Sequence, residues 1–235
     1  AHSHFFALDD ASLERFAEYT GILLEAKARE LGTCRKTKFP LRSDRVCLKI
    51  LNAPWMIDWF CRQVDADIIT IVRHPAAQAL SVLRQGWAFP LEAYATRIRQ
   101  MNHSFTEAQM AFIEEAMARG DPWTKALVDW VITSLPLREG GDHSVIRVRY
   151  EDVVANKAGF VDDVLIGRCG LSDKAAMIKA ISRPSGSSRM SQDATNRAIQ
   201  NNDSEHLRES WKKSLNTQML DKLADVLDRF EIEYD

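Results

Sequence analysis

An arginine, a histidine and a proline stand together at Arg73-His74-Pro75, directly behind the apolar run Asp67-Ile68-Ile69-Thr70-Ile71-Val72. That order predicts a strand feeding straight into a helix, with Pro75 at the first helical position, where its missing N–H costs nothing. Such a junction gathers free backbone N–H groups and a guanidinium at the carboxyl end of a strand, which is the chemistry of an anion site. Arg73 suits a phosphate because its fork can donate two charge-assisted hydrogen bonds at once. The same residues also describe a surface arginine beside an ordinary helix start.

Other reactive side chains are scattered. The four cysteines, Cys34, Cys47, Cys61 and Cys169, show no C-x-x-C and no metal-ligand spacing, so free thiols in a reducing cytoplasm are expected, and no metal. Any of His2, His4, His74, His103, His143 and His206 could act as a general base, and the spacing singles out none. Trp55, Trp59, Trp87 and Trp123 lie in apolar stretches, where tryptophan is usually core, although the same side chains suit a sugar or aromatic pocket.

The elements that must position these groups are readable in outline. Leu13, Phe16, Tyr19, Leu23 and Leu24 recur at helical spacing after Asp9-Asp10, and Gly32 ends that helix. Val46–Leu51 reads as a short buried strand, and Pro54 opens a helix to about Gln63. The strand over Asp67–Val72 is followed by a helix from Pro75 to about Gln85. Helices dominate from Leu91 to Leu135, with Ser104 and Glu107 as a capping box and Asp121-Pro122 as a cap and first turn. A third strand covers Val145–Tyr150, and an amphipathic helix over Thr217–Phe230 closes the chain. Few strands separated by long helical segments predict a short parallel sheet with helices on both faces.

Composition narrows the function classes. Lys and Arg total 31 against 33 Asp and Glu, a balance that argues against a nucleic-acid binder, which needs an excess of cations. No apolar run approaches the roughly 18 residues of a membrane span, so no membrane span and a cytoplasmic location are expected.

The stretch from Ile68 to Ser81 resembles the 3′-phosphate-binding segment of PAPS-dependent sulfotransferases of the bacterial type. In that family an apolar strand runs into Arg-x-Pro and a serine sits on the next helix; the downstream Gly86-Trp87 is similar to bacterial members. The resemblance implies that Arg73 and Ser81 hold the 3′-phosphate of the donor PAPS (3′-phosphoadenosine 5′-phosphosulfate). Val148–Val153 resembles the family's strand ending in Tyr-Glu-Asp, which would place Tyr150 near the adenine; otherwise Tyr150 is a core-edge aromatic. Glu209–Leu215 is similar to the family's Trp-Lys segment, with Trp211 read as packing. The family's lysine beside the sulfuryl group is matched nearest by Lys49, with Pro54 behind it; a second alignment puts Asn52 there, and Lys49 is equally a strand-edge lysine.

The departures are specific. The family's N-terminal glycine-rich loop for the 5′-phosphosulfate has no counterpart here, so residues 1–235 are read as a single sulfotransferase-like domain truncated at its N-terminus. Ser185-Gly186-Ser187-Ser188 imitates that loop but follows a helical stretch, leaving Ser185, Ser187 and Arg189 as either nucleotide-side residues or a solvated turn. Asn202-Asp203-Ser204 stands where the family has Arg-Lys-Gly, and Leu51 replaces a family histidine.

Taken together, the resemblance implies a helix-rich, three-layer α/β/α fold with a short central parallel sheet, similar to P-loop nucleotide hydrolases. It implies transfer of a sulfuryl group from PAPS to a hydroxyl or amine of a small-molecule or glycan acceptor, leaving PAP (adenosine 3′,5′-bisphosphate). The alternative is a non-catalytic nucleotide-binding or interaction domain derived from that fold. A kinase-like P-loop protein is disfavoured by the missing Walker pattern.

Overall fold

The computed structural model describes residues 12, 14–18, 21, 47, 49, 54–86, 105–139, 144–184 and 193–234. Within them, two strands pair in parallel: β1 (Ile69–Val72) and β2 (Ile146–Arg149), in the register Ile69 to Ile146 through Val72 to Arg149. The crossover between them contains the helices α1 (Pro75–Arg84), α2 (Glu107–Arg119) and α3 (Pro122–Glu139). The chain is therefore helix-rich α/β with a short parallel sheet, as the pattern of few strands and long helices predicts.

The core is organised around α3. Leu127, Val128, Trp130, Val131 and Ile132 are all buried, as expected of a helix apolar on nearly every side. It packs on α1, on α2, on β1 and on the closing helix α4 (Thr217–Arg229). Ala76, Ala77 and Ala79 on α1 are buried in the same cluster, and their small side chains let the two helix backbones approach closely. Asp121 starts α3 as predicted: its Oδ1 accepts from the N–H groups of Trp123 at 3.0 Å and Thr124 at 3.3 Å. Partial burial alone would raise the Asp121 pKa, but hydrogen bonds from Lys222 and Thr124 overcome it and hold the carboxyl at about 2. The pairing with Lys222 also ties the front of α3 to α4.

The order after β2 is a run of short elements. Tyr150–Ala155 forms α5 immediately at the strand's end, and Lys157–Gly159 continues as a π-helical stretch, Phe160–Ile166. Helices follow over Lys174–Ile181, Asp193–Gln200 and Ser204–Glu209, then a 3-10 turn over Ser210–Ser214.

Several expectations are corrected. The strand over Asp67–Val72 is shorter at its front, and Tyr150 belongs to a helix rather than to the third strand. Cys47 and Lys49 are exposed and in irregular backbone, not in the buried strand expected over Val46–Leu51; the other residues of that run lie outside the described ones. The capping box is formed by Thr106 and Gln109, because Glu107 is already the first helical residue of α2 and so cannot occupy the third position. Trp87, the segment Ser185–Arg189, and His2, His4, His103 and His143 also lie outside the described residues.

Candidate functional site

The strand-to-helix junction forms where the sequence places it. β1 ends at Val72, Arg73 and His74 bridge a short gap, and α1 begins at Pro75. His74 is the N-cap: its imidazole Nδ1 accepts from the Ala76 N–H at 3.2 Å, satisfying one of the helix's free donors.

The backbone of Arg73 is held from two sides. Its carbonyl accepts from the Trp130 indole Nε1 at 2.8 Å, and the next N–H, that of His74, donates to Glu151 Oε1 at 3.0 Å. Trp130 comes from the buried heart of α3 and Glu151 from the first turn of α5, so the junction is clamped between core and the end of the second strand. The Arg73 guanidinium lies over the Tyr150 ring, 5.0 Å from its centroid, an attractive arrangement of a cation on an aromatic face. Arg73 Nε is buried and has no hydrogen-bond partner, and the same holds for Glu151 Oε2.

Around this pair lies a group of cations and aromatics. The His74 ring stacks on Trp211 with centroids 4.2 Å apart and meets the edge of Tyr234 at 4.9 Å. Trp211 is buried, in keeping with a packing role. Burial first, then the charges of Lys212, Arg149 and Arg73, push the His74 pKa down from 6.5 to about 4, against a smaller pull from Glu209. His74 is therefore neutral at pH 7, and the positive charge of the junction resides on Arg73, Arg149 and Lys212. Tyr234 is pushed up to about 12 by burial first and then by Glu151, with Arg149 and Arg138 acting in the opposite sense.

The four predicted site residues do not all meet. Arg73 and Tyr150 are in contact. Ser81 is half-buried further along α1, where its hydroxyl accepts from Gln85 Nε2 at 3.2 Å. Lys49 is exposed, and among the described residues no hydrogen bond or ion pair joins it to the cluster. Gly86, with φ of +64°, turns the chain after α1 in a conformation that favours glycine. A cavity of about 470 Å³ opens on the Arg149 side of the junction, and Arg73 is not among the residues lining it.

Sequence reasoning missed Arg149, Glu151, Lys212, Trp130 and Tyr234 as parts of this neighbourhood. One signal was present: Arg147 and Arg149 alternate with Ile146 and Val148, which places both arginines on one face of β2. No residue pattern marks Trp130 or Tyr234, because their contacts are made across long separations in the chain. No metal-ligand cluster of three or more His, Cys, Asp or Glu occurs among the described residues, and none of the described helices is long and apolar enough to cross a membrane. No family model, no curated protein and no solved structure matches the chain.

Proposed function

We propose that this chain is a cytoplasmic, PAPS-dependent sulfotransferase domain of P-loop-like, three-layer α/β/α architecture. It would move a sulfuryl group from 3′-phosphoadenosine 5′-phosphosulfate to a hydroxyl or amine on a small molecule or glycan. The observation that carries the reading is the Arg73–Tyr150 pair: a guanidinium at the tip of a parallel strand, lying on an aromatic ring at the tip of the neighbouring strand. Those are two of the residues that the resemblance assigns to the 3′-phosphate and the adenine. The buried, unpartnered Arg73 Nε and the neighbouring charges of Arg149 and Lys212 fit a ligand carrying phosphate.

In the reaction, the sulfur–oxygen bond to the donor's bridging phosphate oxygen breaks as a bond from sulfur to the acceptor oxygen or nitrogen forms. The acceptor's proton leaves to a base, and the departing nucleotide keeps the electron pair. Such chemistry depends on positioning and on fixed positive charge. Arg73 and Ser81 would anchor the nucleotide by its 3′-phosphate, Tyr150 would bear on the adenine, and Lys49 would offset charge on the leaving oxygen. The neutral His74 caps its own helix and leaves the phosphate-facing charge to the arginines.

The test is ligand-dependent melting of the full chain. At 100 times its Kd, PAP stabilises the folded state by about 2.7 kcal/mol, or roughly 5–10 °C for a domain of this size. Arg73→Ala should remove most of that shift. An unchanged melting curve at millimolar PAP would refute the nucleotide assignment, and binding without transfer of label from PAPS would select the non-catalytic alternative.

A further inference from the structure

The cavity beside the junction has its own chemistry. Its walls come from the sheet face carrying Arg147 and Arg149, from the end of α3 at Leu137 and Arg138, and from the closing segment at Tyr234. The guanidinium carbons of Arg138 and Arg149 both lie over the Tyr234 ring, 5.5 and 4.9 Å from its centroid. One phenol ring therefore holds two guanidinium groups within about 10 Å of each other.

The lining itself carries three arginines, Arg138, Arg147 and Arg149, and two carboxylates, Asp152 and Glu233. Arg138 Nη2 donates to the Glu233 carbonyl at 3.1 Å, whereas Arg138 Nη1 is buried with no hydrogen-bond partner. A buried donor left unpaired is costly and is usually satisfied by a ligand or an ordered water. The remaining wall is mixed: Val72, Leu137 and Val148 are apolar, and Thr70 adds a hydroxyl that is buried with no hydrogen-bond partner. The volume is that of a pocket for a small molecule.

We propose that this cavity binds a small organic anion, a carboxylate or a phosphate or sulfate ester with a compact apolar or aromatic body. Its oxyanion pairs with Arg138 and Arg149, and its body lies against Val72 and Leu137. The cavity shares Arg149 with the junction but is lined by neither Arg73 nor Tyr150, and its binding does not depend on sulfuryl transfer.

Three probes that share a phenyl ring test it on the full chain by calorimetry and ligand-observed NMR: benzoate, phenyl phosphate and the neutral benzyl alcohol. Both anions should bind, with the alcohol roughly tenfold weaker or more, the equivalent of one charge-assisted hydrogen bond. Arg138→Gln should weaken the anions by roughly tenfold and leave the alcohol unchanged. If that variant melts early, Arg147→Gln, on the exposed rim, should still weaken the anions several-fold. Equal affinity for anion and alcohol, or anion affinity unchanged in both variants, would overturn the proposal. So would displacement of the anions by PAP that disappears in Arg73→Ala, since that result assigns the cavity to the nucleotide.

Discussion

Replacing His74 with Asn should flatten the dependence of stability on pH between about 6.5 and 4. The imidazole accepts a hydrogen bond from Ala76 N–H, so it can cap α1 only while Nδ1 is unprotonated. It is also stacked on Trp211 and surrounded by Lys212, Arg149 and Arg73, with only Glu209 opposing them. Because its pKa falls from 6.5 in the unfolded chain to about 4 in the folded one, the unfolded state takes up a proton first as acid is added. His74 therefore contributes its stability in full above pH 6.5, and that contribution is lost as pH falls toward 4. The full shift corresponds to at most about 3 kcal/mol, and the ring's partial exposure brings the expected loss nearer ~2 kcal/mol. Asn keeps an oxygen able to cap and does not titrate. Urea unfolding followed by tryptophan fluorescence at pH 7.5, 6 and 4.5 gives the difference between wild type and His74→Asn at each pH. That difference should shrink by ~2 kcal/mol across the series, with an NMR titration placing the His74 ring near pH 4. Two curves that run parallel, or a ring that titrates near 6.5, would refute the argument.

Asp129, half-buried on α3, should show the opposite sign: desolvation raises its pKa from 3.8 to about 7, so its favourable protonated form is lost as pH rises through 7. Asp129→Asn should accordingly gain on wild type by on the order of 3 kcal/mol between pH 4 and pH 8, read from the same unfolding series. Trp130→Phe keeps an aromatic ring in the core but leaves the Arg73 carbonyl without its donor, at a cost of roughly 1–3 kcal/mol in denaturant unfolding. The same variant should weaken PAP binding in a melting assay; unchanged stability and unchanged binding would show that the indole N–H does not hold the junction.

How much of this was legible depended on whether the signal was local. β1 was readable because an uninterrupted β-branched run has one good conformation, and α1 because Pro75 marks its first residue. The start of α2 is ambiguous in sequence because two capping patterns overlap, Ser104 with Glu107 and Thr106 with Gln109. A tertiary contact accompanies the second: Gln109 Nε2 donates to the Arg229 carbonyl at the end of α4 at 3.0 Å. The run around Lys49 was apolar enough for a strand, yet the exposed Cys47 and Lys49 show that a short apolar run does not determine its own partner. Of the candidate site, the strand-to-helix junction was readable, and the groups that hold it were not.

Those groups explain why the junction could serve as a fixed site. A lone arginine at a strand end would lose side-chain and backbone freedom each time it met a ligand. Here the carbonyl of Arg73 is fixed by Trp130, the following N–H by Glu151, and the guanidinium by the Tyr150 ring. The first restraint comes from α3 and the other two from the first turn of α5, directly behind β2, so pairing of the parallel strands and ordering of Arg73 are one event. Anything that separates β1 from β2 must also release the guanidinium. Loss of ligand binding and loss of the strand pair should then track each other under mild denaturant, since the same few contacts support both.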